Sequence, residues 1–272
     1  MTNERTSMNF NDKVFIVTGS ATGIGAACVQ RLAAQGARVV VNYSRNAAAA
    51  EATAQACRDA GGEALLVKAD VAQDAACRRM AQAALDAWGR IDGLVNNAGT
   101  TRFVGLRDLD GLSAKDFQDI YAVNLIGSFQ MARACATALR ASHGAIVNVS
   151  SISTHDGTGS SLAYACSKGA INTLTLGLAK ALGPEVRVNA VLPGLIDASW
   201  LRDGLGEALF EQVAAGYKAQ SALHDTLTPD DAAQSLVALL ALPKLTGQLL
   251  TVDAGRRVGA APPGKLPLQP AP

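Results

Sequence analysis

Short runs of β-branched and other apolar residues alternate along this chain with longer, alanine-rich stretches of helical length. Within each run the apolar residues are nearly continuous, which is typical of parallel strands covered by helices on both faces. The alternation of strand and helix therefore predicts an α/β fold with one doubly wound parallel sheet. Seven runs are predicted strands: KVFIVTG, ARVVVNY, EALLVKAD, IDGLVNNAG, GAIVNVSS, VRVNAVLPG and GQLLTVD.

Three segments do not follow this alternation. Residues 1–11 are polar and are expected to be flexible, and residues 257–272 form a proline-rich tail that cannot continue a strand. Residues 198–228 contain no strand and follow the predicted sixth strand at its carboxyl end, where open α/β sheets bind ligands. We therefore expect a mobile substrate lid there, and the alternative is a helical hairpin that fills the edge of the core.

The charge balance points to a small-molecule partner. With 24 basic and 23 acidic residues the formal net charge is +1, which argues against a surface that binds nucleic acid or an anionic membrane. Three aromatic residues of the predicted lid, Trp200, Phe210 and Tyr217, favour a substrate with an apolar portion. Aromatic residues in such a segment also serve for packing, so this second interpretation stays open.

Hydropathy and cysteine usage predict a cytoplasmic protein. No apolar run approaches the ~18 residues that a membrane span requires, and the N-terminal residues lack the apolar region of a secretory signal. The five cysteines are odd in number, lie among alanines and have no metal-binding spacing, so we expect small core residues in a reducing compartment and no metal site. They are Cys28, Cys57, Cys77, Cys135 and Cys166.

A glycine-rich turn, TGSATGIG, joins the first predicted strand to the first helix. Glycines in such a turn allow backbone N–H groups to approach a pyrophosphate, whose charge the positive end of the helix favours. The spacing is GxxxGxG, which differs from the commoner GxGxxG pattern, yet its place in the first βα turn predicts a dinucleotide site. The loop residues expected at the cofactor are Gly19, Ala21, Thr22, Ile24 and Gly25.

The end of the second strand, VVVNYSRN, is the position that selects the adenosine ribose. An acidic residue there would accept hydrogen bonds from the ribose hydroxyls and would repel a 2′-phosphate. The chain has Asn42 instead, followed by Ser44 and Arg45, which favours NADP(H) and leaves NAD(H) as the alternative. Arg45 has a plain surface interpretation, and Thr22 stands where a second basic residue would help. We expect Asn42→Asp to shift preference toward NAD(H).

A tyrosine and a lysine four residues apart lie on one face of a predicted helix: Tyr164 and Lys168 in SLAYACSKGAINTL. A free tyrosine has a pKa of ~10, and a fixed ammonium beside it favours the phenolate and so lowers that pKa. Such a phenol can protonate a carbonyl oxygen as hydride arrives. Ser151, at the end of a strand, offers a hydroxyl to a substrate oxygen, and Asn124 is a polar side chain in an apolar helical run.

The combination of TGSATGIG, NNAG at 96–99, the Ser151, Tyr164 and Lys168 set, and PG at 193–194 resembles the classical short-chain dehydrogenase/reductase family. The resemblance covers residues from about 12 to 256. It implies a single Rossmann-type dinucleotide-binding domain that interconverts a carbonyl and an alcohol by hydride transfer. It also implies a homotetramer, formed through the long helices near 113–141 and 164–182.

The resemblance implies a role for each matching residue. Tyr164 would be the acid/base, and Lys168 would lower its pKa and bind the nicotinamide ribose. Ser151 would orient the carbonyl, and Asn124 would support a water-mediated proton relay to Lys168. The other implied cofactor contacts are Asp70 and Val71 at the adenine, Asn97, Ala98 and Gly99 along the cofactor, and Pro193, Gly194 and Ile196 beside the nicotinamide.

The substrate is not given by the sequence, and one family position departs from the pattern. The threonine that often contacts the nicotinamide carboxamide is Ala198 here, and Ser199 is the candidate replacement. A 3-oxoacyl-[acyl-carrier-protein] reductase is an alternative, although Glu185 stands where such enzymes usually carry a basic residue. A non-catalytic NADP(H)-sensing protein is the other alternative, against which the four candidate catalytic residues argue together.

Overall fold

One parallel sheet of seven strands, in the order β3-β2-β1-β4-β5-β6-β7, runs through the protein. The computed structural model describes residues 10–260. Every strand lies inside one of the runs identified in the sequence, so the predicted doubly wound sheet is confirmed. The strands are β1 (Val14–Val17), β2 (Arg38–Tyr43), β3 (Glu63–Lys68), β4 (Gly93–Asn96), β5 (Ala145–Val149), β6 (Arg187–Pro193) and β7 (Leu249–Val252).

Helices cover both faces of the sheet. A turn of π-helix, Ala122–Ile126, joins α4 to α5 without a break. The helices are α1 (Gly23–Ala33), α2 (Ala47–Asp59), α3 (Asp74–Trp88), α4 (Ala114–Tyr121), α5 (Gly127–Ser142), α6 (Ser153–Asp156), α7 (Leu162–Leu182), α8 (Ser199–Leu205), α9 (Glu207–Gln220) and α10 (Pro229–Ala241).

Alternation along the strands divides the interior into two cores. Phe15 and Val17 of β1 point into the core that contains buried residues of α1, α2 and α10. Val14 and Ile16 point to the opposite face, into the core that contains residues of α3 and α5. Since successive strand side chains face opposite sides, a strand buried on both faces needs apolar residues at every position. All residues of β1, β4 and β5 are buried, and the two polar ones, Asn96 and Asn148, hydrogen-bond each other at 2.9 Å.

The order of the strands fixes where a ligand can bind. The chain runs from β1 outward to β3 and then returns to place β4 on the other side of β1. Open α/β sheets bind ligands in the crevice at the carboxyl ends of the strands, where the strand order reverses. The turns after β1 and β4, which carry the glycine loop and the NNAG sequence, meet at this point.

The terminal segments lie mostly beyond what the structure describes. Residues 1–9 of the predicted flexible segment and residues 261–272 of the proline-rich tail are outside the described range. Phe10 is buried and packs edge-on against Phe15, with ring centroids 4.9 Å apart. Packing against the sheet therefore begins before residue 12.

The segment 198–228 folds into the helices α8 and α9. Phe210 is fully buried, and the Tyr217 hydroxyl donates a hydrogen bond of 2.8 Å to the Asp253 carbonyl. These two aromatic residues therefore serve for packing, as the second interpretation of the lid had it. Trp200 differs from them, because 46% of its surface is exposed.

Four of the five cysteines are buried, as expected of small core residues, and all five are free thiols. Cys166 is the exception to the prediction, since it lies exposed on α7. Burial raises the pKa of Cys28 and of Cys135 to about 12. Among residues 10–260, no helix is both long and apolar enough to cross a bilayer.

Candidate active site

The glycine loop lies tightly against the turn after β4. A side chain on Gly19, which has a φ of +61°, would lie 2.9 Å from the Ala98 Cα atom. A Cβ on Gly25 would lie 2.5 Å from Asn97 Nδ2. Thr22 begins α1 without a side-chain cap, so the N–H groups of the first helical turn stay open. This cradle fits the pyrophosphate of a dinucleotide, which Ala21, Thr22 and Ile24 would border.

Asn97 holds the glycine loop in place. Its Nδ2 donates to the carbonyls of Thr18 and Gly19, at 2.9 and 3.0 Å. The Thr18 hydroxyl in turn accepts from the N–H groups of Asn97 and Ala98, both at 3.0 Å. The NNAG sequence after β4 therefore holds the glycine loop in place through hydrogen bonds.

Asn42 also belongs to this brace, which revises its predicted contact with the ribose. The side chain is 2% exposed, and its Oδ1 accepts from the Gly19 N–H at 2.8 Å. Its Nδ2 donates to the carbonyls of Val67 and Ala69, at 3.2 and 3.0 Å. These bonds join the loop to β2 and β3 and turn the amide toward the protein. Asn42 is thus a positioning residue for the glycine loop.

The residues after Asn42 form the exposed end of β2. Tyr43 packs against the core on the side of the sheet that α1 covers, as do Ala21 and Ile24 of the glycine loop. Ser44 and Arg45 follow and are exposed, and Arg45 forms no ion pair within residues 10–260. Lys68, the exposed last residue of β3, is the register partner of Tyr43. Sequence reasoning missed Tyr43 and Lys68, although strand alternation from Val41 could have found Tyr43.

Tyr164 and Lys168 lie together near the start of α7. The Ser161 hydroxyl caps this helix by accepting a hydrogen bond of 3.2 Å from the Tyr164 N–H. The Lys168 Nζ atom lies 5.5 Å from the centroid of the Tyr164 ring and donates to the Val149 carbonyl at 2.8 Å. Lys168 is 4% exposed, so its ammonium is held at the carboxyl end of β5.

The Ser151 hydroxyl connects β5 to the tyrosine. It lies close enough to the Tyr164 side chain to lower its pKa, and it accepts from the Ser153 N–H at 3.1 Å. Burial raises the pKa of Tyr164 to about 12, and the Ser151 hydroxyl offsets part of that rise. The protein groups alone therefore do not produce the expected lowering of this pKa. The ammonium lies over the ring and binds Val149, rather than meeting the phenolic oxygen.

Asn124 lies in the π turn, a helix irregularity common at functional sites. Its Oδ1 accepts from the Thr100 N–H at 2.8 Å, and its Nδ2 donates to the Ser167 hydroxyl at 2.9 Å. A Cβ on Gly99 would lie 3.6 Å from Asn124 Oδ1 and 3.7 Å from Lys168 Nζ. Gly99 therefore lies within van der Waals distance of both polar groups.

The remaining predicted cofactor positions lie at or after the carboxyl ends of β6 and β3. Pro193 ends β6, and a side chain on Gly194 would overlap the Tyr217 hydroxyl. Ile196 is buried, while Ser199 is exposed as the first residue of α8 after Ala198. After β3, Asp70 is exposed, with its Oδ1 accepting from the Ala72 N–H at 3.0 Å, and Val71 is buried.

The chain is similar to known oxidoreductases over almost its whole length. The family model described as short chain dehydrogenase matches residues 13–207. This chain belongs to the short-chain dehydrogenase/reductase family. Members use a nicotinamide cofactor, NAD(H) or NADP(H), and act on small molecules as oxidoreductases.

Relatives of this short-chain dehydrogenase/reductase include reductases of acyl chains. A Streptomyces violaceoruber protein named for ketoacyl reductase function in the granaticin polyketide synthase is 42% identical, covering 89% of this chain and 95% of the relative. The 3-oxoacyl-[acyl-carrier-protein] reductase of Synechocystis is 33% identical, covering 89% and 96%. The solved short-chain dehydrogenase/reductase of Serratia marcescens has a TM-score of 0.82 at 34% identity, covering 91% and 98%.

We expect Asn42→Asp to weaken the glycine loop and to leave the choice of cofactor unchanged. The new carboxylate oxygen would face the carbonyls of Val67 and Ala69, so the free energy of unfolding should fall by about 2 kcal/mol. Affinities for NADH and NADPH should fall by the same factor, measured by urea unfolding and by cofactor titration.

Asn46→Asp is the matched control for stability, because Asn46 caps α2 through an oxygen that aspartate retains. The contrary result is an Asn42→Asp protein of unchanged stability in which only the ratio of NADH to NADPH affinity differs. That result would support the contact between Asn42 and the ribose that the sequence predicts.

The buried ammonium of Lys168 should destabilise the folded protein at neutral pH. Burial lowers its pKa to about 8. An unfolded lysine has a pKa of ~10.4, so between these values the unfolded chain binds more protons and the folded state gains stability as the pH rises. Lys168→Met should therefore raise the free energy of unfolding by about 2 kcal/mol at pH 7 and by less at pH 10.

Urea unfolding at the two pH values measures this difference, with Lys180→Met on the exposed side of the same helix as the control. An equal gain in the free energy of unfolding at both pH values would contradict the lowered pKa of Lys168.

Proposed function

We propose that the protein is an NADP(H)-dependent oxidoreductase that interconverts a carbonyl and an alcohol, with Asn124, Ser151, Tyr164 and Lys168 as its catalytic residues. The observation that carries this proposal is the convergence of Ser151, Tyr164 and Lys168 at the carboxyl end of β5, beside the glycine loop. This convergence also argues against a non-catalytic NADP(H)-sensing protein, which would need the cradle alone.

The side chains divide the work of carbonyl reduction. A nicotinamide cofactor held by the glycine loop would supply the hydride to the carbonyl carbon. Tyr164 donates its phenolic proton to the carbonyl oxygen, which the Ser151 hydroxyl holds in place. Lys168 would return a proton toward Tyr164 through a water held with Asn124, since both polar groups lie within 3.7 Å of the place that a Gly99 side chain would take.

The raised pKa of Tyr164 suits one direction of this reaction. With a pKa of about 12 the phenol is protonated at neutral pH, which is the form that donates to a carbonyl oxygen. Oxidation of an alcohol needs the phenolate, which only a nearby positive charge makes accessible. The Lys168 ammonium and an oxidised nicotinamide both supply such a charge. The protein groups alone therefore leave this phenol protonated, and a nearby positive charge brings its pKa back toward neutrality.

The preference for NADP(H) is argued from charge at the ends of β2 and β3. Neither Tyr43 nor Ser44 brings a carboxylate to the ribose, and Arg45 and Lys68 are exposed cations there. A guanidinium binds a phosphate through paired N–H donors. NAD(H) remains the alternative, because the glycine loop has Thr22 in place of a second basic residue.

The proposed substrate is a small carbonyl compound or alcohol with an apolar portion, bound under the lid at 198–228 of a domain that spans 12–256. Reduction of a 3-oxoacyl carrier-protein thioester is the alternative, which the names of two relatives favour. Glu185 argues against it, since an acidic carrier needs basic residues at the site entrance.

We further propose a cytoplasmic homotetramer. The free cysteines fit a reducing compartment. The exposed apolar residues Ile126, Phe129 and Leu176, on the π turn, α5 and α7, fit helix faces that pair between subunits.

Tyr164→Phe should abolish turnover and leave NADPH binding within about twofold, because it removes the one oxygen that transfers the proton. The wild type should oxidise NADPH with at least one member of a panel of ketones, keto sugars, steroids and 3-oxoacyl thioesters. Tyr121→Phe, a tyrosine on α4, is the control. Full turnover by Tyr164→Phe would refute the catalytic assignment.

Arg45→Asp should raise the KM for NADPH at least about tenfold and change that for NADH much less, because a carboxylate repels the 2′-phosphate. Initial rates with both cofactors measure the ratio. Arg79→Asp makes the same charge change on α3, on the other face of the sheet. An unchanged ratio in Arg45→Asp would exclude this arginine from cofactor selection.

A further inference from the structure

Three aromatic rings form an uncharged wall above the proposed catalytic centre. The ring centroid of Trp200 lies 6.3 Å from that of Tyr164 and 5.7 Å from that of Phe103, with the ring planes tilted by 45° and 52°. We call Phe103, Tyr164 and Trp200 the aromatic wall. Tyr164 brings the reacting oxygen to this wall, so a group bound against it lies beside the carbonyl.

Phe103 is fixed from two sides. A side chain on Gly204 of α8 would overlap the Phe103 ring, so glycine lets the helix close onto it. The loop that carries Phe103 is bonded to the segment before α7, with Val104 N–H donating to the Ser160 carbonyl at 2.8 Å. The hydroxyls of Thr101 and Ser160 are 2.6 Å apart.

The helix that carries Trp200 is also held. Arg202 of α8 binds Asp197 at 2.8 Å and Glu211 at 2.9 Å, and it lies over the ring of Phe210 at 4.2 Å from the centroid. These contacts tie α8 to the end of β6 and to α9. Trp200 is therefore presented on an anchored helix, although 46% of its surface is exposed.

A rigid, half-exposed tryptophan beside two further rings has a definite ligand chemistry. Aromatic rings prefer planar partners in offset or edge-to-face arrangements, which give more than area burial alone. Two guanidiniums flank the wall in the sequence: that of Arg102 is paired with Asp116 at 2.7 Å, and that of Arg202 with Asp197 and Glu211. Phe103 and Trp200 therefore offer stacking surface without an unpaired guanidinium beside them in the sequence.

We propose that Trp200 and Phe103 are specificity-determining residues that bind a planar aromatic group next to the reacting carbonyl, so that aryl or fused-ring ketones are the preferred substrate class. This inference rests on the proposed carbonyl reduction. A flexible aliphatic acyl chain would gain less from the wall, because it has no flat face to stack.

The test compares 1-tetralone with its saturated counterpart 1-decalone. Trp200→Ala should lower kcat/KM for 1-tetralone about tenfold, mainly through KM, and that for 1-decalone less than twofold. Trp200→Phe should retain most of the activity on 1-tetralone. Gly204→Ala, which displaces Phe103 without removing a ring, should reproduce the selective loss. Leu209→Ala is the control, since Leu209 is 48% exposed on the neighbouring helix.

Fluorescence supplies a measurement that does not depend on turnover. The chain has two tryptophans, so Trp88→Phe leaves Trp200 as the sole reporter. Trp88 lies at the end of α3, where its Nε1 donates to Glu63 at 3.0 Å. In the NADP⁺-loaded variant, 1-tetralone should quench this emission, after correction for absorbance, and 1-decalone should quench it much less.

The outcomes separate this inference from the proposed function. Equal losses for both ketones in Trp200→Ala, or no selective quenching, would overturn the role of the wall and leave carbonyl reduction intact. If neither ketone is reduced by the wild type, the quenching alone decides whether the wall binds a planar ring, and the substrate panel decides the function.

Discussion

The glycine loop depends on two amide side chains, one buried and one half-buried. Asn42 and Asn97 bond its backbone from the protein side, through the Gly19 N–H and the carbonyls of Thr18 and Gly19. Buried polar backbone groups must be paired, and here side chains pair them without a regular ladder. The first turn of α1 is thereby kept clear, with its N–H groups facing the crevice. Removal of either amide would affect the shape of the loop before it affected any contact with a ligand.

The candidate catalytic centre trades stability for chemistry. An ammonium buried at the end of β5 is disfavoured by desolvation, which is why the pKa of Lys168 falls to about 8. Its hydrogen bond to Val149 offsets only part of that cost. The phenol of Tyr164 is shifted in the opposite direction by the same burial. Burial thus shifts both pKa values while the phenol stays neutral and the amine stays mostly charged at pH 7, and perturbed pKa values of this kind cluster at functional sites.

Much of this architecture can be predicted from the sequence. Strands buried on both faces appear as short continuous apolar runs, and the helices between them appear as longer alanine-rich stretches. The seven strands and the meeting of Tyr164 with Lys168 are of this kind. The direction of the Asn42 side chain could not be predicted from the sequence. A polar side chain at a strand end faces solvent or protein depending on its side of the sheet and on which nearby backbone groups need hydrogen-bond partners. Phe210 and Tyr217 show the same limit, since a lid and a packed hairpin have similar compositions.

The π turn at Ala122–Ile126 has a consequence for the outer surface of the protein. An additional residue in a helical turn offsets everything that follows by about 100° around the axis. Asn124 can thus face inward on the same continuous helix that directs Ile126 and Phe129 to solvent. Deleting one residue there would rotate either the amide or the apolar face out of place. A single irregular turn therefore couples the orientation of an inner polar group to that of an outer contact surface.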